Sequence, residues 1–193
     1  IKMKLENYVR AGGNLILTFR SGTRNWNNSM TTETLPGMLG RLAGIEVEEF
    51  DSLNHGRTLR INGVMGDGSA SIWAEMLRPK TAVVLGRYVG GHYDGQAAIT
   101  ANQFGDGKVY YVGCHLDDVS LNRLLWMIAD DAGIRPALRW IVPGVEMVQK
   151  EKSGKSDLVV LNHNDSPASL AIPGQYTEML SGKLVSTVLS LEP

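Results

Sequence analysis

Gly12-Gly13-Asn14-Leu15-Ile16-Leu17-Thr18-Phe19-Arg20-Ser21-Gly22 is the stretch on which the reading of this chain turns. Gly12-Gly13 stops a preceding helix, as glycine does past a helix end. Asn14 to Phe19 is a short, nearly continuous apolar run, which suits a strand buried on both faces in a parallel sheet. Upstream, residues 1–11 read as the end of an amphipathic helix with Leu5, Tyr8 and Val9 on one face. Downstream lies a polar loop, Arg20 to Thr32, and then Pro36, where a first helical turn accepts proline. Leu35, Met38, Leu39 and Leu42 follow at helical spacing, Gly44 ends that helix, and Ile45 to Phe50 reads as a strand. Helix, strand, helix, strand is an α/β rhythm.

Further along, Leu59-Arg60-Ile61, Ile72 to Leu77 and Ala82 to Tyr88 read as strands split by Gly- and Asp-rich turns. Ala98 to Phe104 and Lys108 to Gly113 flank Gly105-Asp106-Gly107, a hairpin signature. A helix then starts at Asp117-Asp118, where carboxylates cap free N–H groups. Its predicted apolar stripe is Leu121, Leu124, Leu125, Ile128 and Ala132, and Gly133 closes it. The stretch Ile134-Arg135-Pro136 to Pro143-Gly144 is the best domain boundary, which divides the chain into 1–138 and 139–193. Beyond it only short strands are predicted: Val145–Val148, Leu158–Leu161, Ala168–Ile172, Tyr176–Leu180 and Leu184–Leu191. Turns at Ser153-Gly154, Asn164 to Pro167, Pro173-Gly174 and Ser181-Gly182 separate them. So small an antiparallel β module buries only ~60% of its unfolded surface and is marginal alone.

Composition narrows the function. Among 193 residues, 19 Lys and Arg against 20 Asp and Glu give a net charge of −1, without the basic excess of a nucleic-acid binder. With 43% hydrophobic and 20% charged residues, the chain is globular, not disordered. A single cysteine excludes an internal disulfide and a Cys-rich zinc site. No apolar run approaches the ~20 residues of a membrane span, and no signal peptide is expected. The chain opens inside a predicted helix and without Met, so it is expected to be a piece of a longer polypeptide.

The chemistry-bearing residues mostly have structural readings. Gly105-Asp106-Gly107-Lys108 lacks the spacer, the Ser/Thr and the following helix of a phosphate loop. His55, His92, His115 and His163 show no metal-ligand spacing, and no metal or cofactor is expected. Glu46, Glu48, Glu49 and Asp51 read as the wet face of a strand. Cys114 ends a strand, has His115 beside it and precedes a helix, so a thiol nucleophile is one reading. Leu116 and Asp117 follow where a nucleophile elbow wants a small residue, and His115 points to the opposite side of extended chain. An inert, half-buried cysteine is favoured. The loop Arg20-Ser21-Gly22-Thr23-Arg24-Asn25-Trp26-Asn27-Asn28 is richer, because ligands of open α/β sheets gather at the carboxyl ends of strands. Arg20, Arg24, Trp26 and Asn27 suit sugar hydroxyls and ring stacking, but equally an interface between domains. The loop is expected to be mobile, with Trp26 as an exposed anchor for a partner.

These residues resemble the β-galactosidases of glycoside hydrolase family 42. The similarity lies in Gly12 to Gly22, Leu35-Pro36-Gly37, Ile45 to Asp51, Trp73-Ala74-Glu75 and Phe104 to Gly113, then in Gly144-Val145-Glu146 and Leu161-Asn162-His163. The resemblance implies a TIM barrel with the active site ahead of this region, then an α/β domain with a flavodoxin- or amidotransferase-like sheet that takes part in trimer assembly. A small antiparallel all-β domain ends the chain. It implies a retaining hydrolase of terminal β-D-galactosides, cytoplasmic, with both catalytic glutamates on the barrel. No catalytic residue is carried over to this sequence, and Cys114-His115 departs from the small or polar pair expected after that strand. The expected role is a non-catalytic assembly and scaffold region of a homotrimer, partnered by its barrel, with neither nucleic acid nor membrane. Two alternatives from other classes are a free-standing amidotransferase-like thiol hydrolase using Cys114 and a carbohydrate-binding module stacking sugars on Trp26 or Trp73.

Overall fold

In the computed structural model, which describes residues 1–135 and 142–193, α1 (Lys2–Arg10) runs into β1 (Asn14–Thr18) through Gly12-Gly13. Gly12 adopts φ +98, and the amides of Gly12 and Gly13 return to the carbonyls of Val9 and Tyr8. This is the glycine helix stop that the sequence predicts. Val9 is fully buried, but Tyr8 is half exposed, its hydroxyl on the carbonyl of Asn14. The helix expected from Pro36 onward is shorter than predicted. Pro36 precedes a 3-10 turn, Gly37–Leu39, and only Gly40–Ala43 (α2) is α-helical before Gly44 ends it in the left-handed region.

The strands β2 (Ile45–Ser52), β3 (Leu59–Gly63), β4 (Gly66–Pro79), β5 (Val83–Val89), β6 (Ala97–Phe104), β7 (Gly107–Val112) and β8 (Cys114–Leu116) join β1 in one sheet. The order is β1-β7-β6-β5-β3-β4-β2, with β8 beside β4. β1, read as a strand of a parallel sheet, does pair in parallel with β7, while among the described residues every other pairing is antiparallel. Short turns such as Gly105-Asp106 join antiparallel neighbours, whereas parallel pairing needs a crossover. The first unit is therefore a mixed sheet with few helices. β1 lies at its end, so Ile16 stays 39% exposed although its apolar run predicts burial on both faces.

Alternation along β7 divides the core. Val109 and Tyr111 face Val9, Leu42 and Ile45 on the side of α1 and α2. Tyr110 and Val112 face Tyr88, Ile99, Leu124 and Ile128 on the side of α3 (Asp118–Asp131). The predicted stripe of α3 is narrower in the structure: Leu124 and Ile128 are buried, while Leu121 and Leu125 remain partly exposed. Asp117 caps this helix as predicted, with Oδ1 accepting from the Ser120 amide at 2.9 Å. Its Oδ2 accepts from the Ser69 amide and from both serine hydroxyls.

Two units are distinguished, Ile1–Gly133 and Ile134–Pro193; the 138/139 division lies outside the described residues. The second unit holds two antiparallel ribbons, β9 (Val145–Lys152) with β10 (Lys155–Asn162) and β11 (Ala168–Thr177) with β12 (Leu184–Leu191). Leu170 and Ile172 are its buried centre, packed by residues such as Met147, Val160, Tyr176 and Leu189. The all-β reading of this module holds, with one correction. Pro173-Gly174 is not a turn; β11 continues through it with a register shift between Ile172 and Gln175, the mark of a bulge. Among the described residues, no helix is long and apolar enough to cross a membrane.

Candidate functional site

β1 and β7 end side by side, and the chain leaving β1 meets the middle of β4. The Phe19 amide still bonds the Val112 carbonyl at 2.8 Å, but Arg20 turns into the left-handed region at φ +64. Its amide no longer has a ladder partner and donates instead to Oε1 of Glu75, at 2.8 Å. Glu75 is only 1% exposed. The same Oε1 accepts from the Trp73 indole N–H at 3.2 Å, and Oε2 accepts from the Tyr111 hydroxyl at 2.8 Å. The main chain of Glu75 is satisfied too, its amide on the Gly113 carbonyl and its carbonyl accepting from the Tyr88 hydroxyl. Burial holds the Glu75 carboxyl above the usual carboxylate range, against the pull of these donors and of the Arg20 charge.

Outside this buried centre, the Arg20 guanidinium lies over the Trp73 ring at 5.0 Å, and Trp73 stacks on Phe50 at 5.3 Å and 14°. Cation, indole and phenyl thus form a column on the surface. Ile72, next to Trp73, has φ +65 and is exposed. A β-branched residue in that region is strained, and it sits where β4 shifts register against β8.

The structure divides the four sequence-predicted residues. Arg20 belongs to the Glu75–Trp73 centre. Arg24, Trp26 and Asn27 belong to a small hairpin beyond it. That hairpin is tied by the Asn25 amide to the Ser29 carbonyl at 2.8 Å, the Thr31 amide to the Thr23 carbonyl at 3.0 Å and the Arg24 guanidinium to the Asn28 carbonyl at 3.0 Å. Asn27 Oδ1 accepts from the amide and hydroxyl of Ser29. At its tip Trp26 is 95% exposed. The loop read from the sequence thus carries hydrogen bonds of its own that shape it into a turn.

The surroundings of Cys114 disfavour a nucleophilic thiolate. It is 2% exposed, and burial, with the nearby Glu75, pushes its thiol up to about 12 against a hydrogen bond to Tyr88. A thiol so placed stays protonated at neutral pH. His115 faces solvent, as strand alternation predicts, and contacts Ser71 Oγ at 3.3 Å. Part of the acidic cluster is ion-paired: Glu46 pairs with Arg78 of β4 and with Lys80 just past its end, and Glu48 with Arg78. Sequence reasoning missed Glu75. Its signal was an isolated carboxylate between Ala74 and Met76-Leu77, in a run otherwise fit for a core strand.

The first unit matches a family model described as the β-galactosidase trimerisation domain, over residues 1–135. The second matches the β-galactosidase C-terminal domain over residues 144–193. The class is that of the accessory domains of β-galactosidases. Among curated relatives, β-galactosidase BgaP of Planococcus sp. (strain L4) is 33% identical over 98% of this chain and 29% of its own length. β-Galactosidase LacZ of Heyndrickxia coagulans is 32% identical over 98% of this chain and 28% of its own length. Among solved structures, the β-galactosidase from Bacillus circulans sp. alkalophilus superposes with a TM-score of 0.90 at 31% identity, over 99% of this chain and 29% of that one. That from Rahnella sp. R3 gives 0.88 at 25% identity, over 100% and 29%. The chain belongs to the glycoside hydrolase family 42 β-galactosidases, and it spans only 28–29% of the length of these relatives.

Proposed function

We propose that this chain is the non-catalytic assembly and scaffold region of a retaining β-galactosidase that hydrolyses terminal β-D-galactosides in its full-length, cytoplasmic form. The observation that carries the reading is the match of both units to accessory-domain families whose named relatives extend far beyond them. The site chemistry supports it. Retaining hydrolysis needs two carboxyl groups ~5–5.5 Å apart, one as nucleophile and one as acid/base. Among the described residues Glu75 is the one buried carboxylate residue, and its oxygens are occupied by three donors of its own chain.

The finer architecture belongs to the same proposal. β1 pairs in parallel with β7 and has no strand on its other side among the described residues. Further parallel strands added there would extend a flavodoxin- or amidotransferase-like sheet, and the helices of their crossovers would cover Ile16. The domain division falls at 138/139, a reading supported by family matches that leave 136–143 between them. Arg20, Arg24, Trp26 and Asn27 form an interface or the rim of the substrate pocket, against the barrel or a neighbouring subunit of a homotrimer. The reading rests on the exposure of Trp26 and on the preference of interfaces for Trp and Arg.

The test has two arms. The 193-residue chain alone should not turn over a chromogenic β-galactoside above a mock-purified control. An enzyme carrying it behind a family barrel should be active and trimeric by light scattering. Turnover by the chain alone, or a monomeric enzyme at every concentration, would overturn the proposal.

A further inference from the structure

The buried carboxylate of Glu75 is not explained by core packing. Among the described residues no ion pair reaches it, and an unpaired buried charge is costly. What it does is local and directional. It accepts the amide of the first residue to leave β1, and with the same oxygen it holds the Trp73 indole on which the Arg20 side chain rests. Backbone and side chain of Arg20 are thereby fixed through a single group on β4. The Tyr111 hydroxyl orients the other oxygen from β7, the strand paired with β1.

We propose that Glu75 is a positioning residue for the assembly surface: its carboxylate sets the left-handed turn at Arg20 and so fixes how the 24–30 hairpin presents Trp26. The inference rests on the reading of that hairpin as an interface. An apolar residue at 75 would leave the Arg20 amide and the Trp73 indole N–H without partners. Glutamine keeps an oxygen for both donors and changes only the group facing Tyr111. The carboxylate is therefore needed as a two-donor acceptor more than as a charge.

Hydrogen exchange and indole NMR on the full chain test the anchor, with E75A and E75Q. In E75A, exchange at Arg20 and through 21–31 should quicken about tenfold or more while β6 and β7 keep their protection. E75Q should restore most of that protection and keep the Trp73 indole proton hydrogen-bonded, its signal and that of the Arg20 amide shifted together because their shared acceptor changes from carboxylate to amide. If E75A does not fold, E75Q carries the test through the Trp73 indole and Arg20 amide signals, which should move together relative to wild type. Unchanged exchange at 20–31 in E75A, a uniform loss across the first unit, or an E75Q that shifts neither signal would overturn the anchor. Light scattering on the full-length enzyme separates the two readings. Loosened 20–31 exchange with an unweakened assembly supports the anchor and sinks the interface, whereas weakened assembly supports both.

Discussion

The two units of this chain solve the same burial problem with unequal means. The first spans Ile1–Gly133 and puts helices on both faces of one broad sheet, so that Val9, Leu42, Tyr88, Ile99 and Leu124 are removed almost wholly from water. The second spans Ile134–Pro193 and, among the described residues, has two ribbons of two strands and buries little beyond Ala168, Leu170 and Ile172. Isolated hairpins are marginal in water, and a unit of that size buries a smaller fraction of its surface. The lesson is that polar complexity follows burial. Among the described residues, the first unit encloses a carboxylate, Asn102 and Ser120, whereas polar groups of the second lie on the outside, as in the His163–Glu146 pair.

The largest expected effects come from core truncation and test the inequality directly. Leu124→Ala should cost about 2–5 kcal/mol in the first unit, because the helix and sheet around it close only partly over the void. Leu170→Ala should abolish the second unit's structure, since that centre has few other buried side chains. In chemical denaturation the wild type should unfold in two steps, with Leu124→Ala moving the later one and Leu170→Ala removing the earlier one. A single coincident transition would dissolve the distinction between the units.

Asp117→Ala comes next, at about 1–2 kcal/mol by thermal melting, because a helix cap and the tie to Ser69 are lost together. Donation from the Ser120 amide, and then from the Ser69 amide and both hydroxyls, holds the Asp117 carboxyl well below the usual range. Its folded-state pKa is depressed, so its contribution is complete above the ordinary carboxylate pKa and fades as pH falls toward the folded value.

Glu75 has the opposite sign. Burial raises its folded-state pKa, so its contribution is present at acid pH and lost as pH rises through the raised value. The groups facing it are Arg20, Tyr111, Tyr88 and Cys114, of which only Arg20 is cationic. Glu75→Gln should flatten that limb of the stability profile and leave the chain more stable than wild type near neutrality. A neutral-pH loss as large as that of Asp117→Ala would show that the carboxylate charge itself is needed. The smallest effect is Trp26→Ala, within about 0.5 kcal/mol, because a side chain 95% exposed has little packing to lose. The same substitution should weaken assembly of the full-length enzyme in light scattering, which separates an interface tryptophan from a core one.

Legibility tracked the range of the forces involved. The Gly12-Gly13 stop, the Gly105-Asp106 hairpin and the Asp117 cap were all readable, since each is decided by neighbours in the chain. The site was readable only in its outer part. Arg20, Arg24, Trp26 and Asn27 stand out by composition, but their grouping does not. Arg20 joins Trp73 and Glu75 from more than fifty positions away, and only tertiary contact can say so.

Local propensity by itself determined the element types over most of the chain and the existence of a second all-β module, while the family came from the resemblance of segments spread along the chain. Where no tight turn joins two strands, tertiary structure alone decided their order and direction, because the period of a strand is the same in parallel and antiparallel pairs. It also placed β1 at the end of the sheet, so that a run apolar enough for two buried faces has Ile16 partly in water. And it gave Glu75 its role: a carboxylate on a strand is ordinarily solvated, and becomes an internal anchor only where an amide, an indole and a phenol from distant segments converge on it.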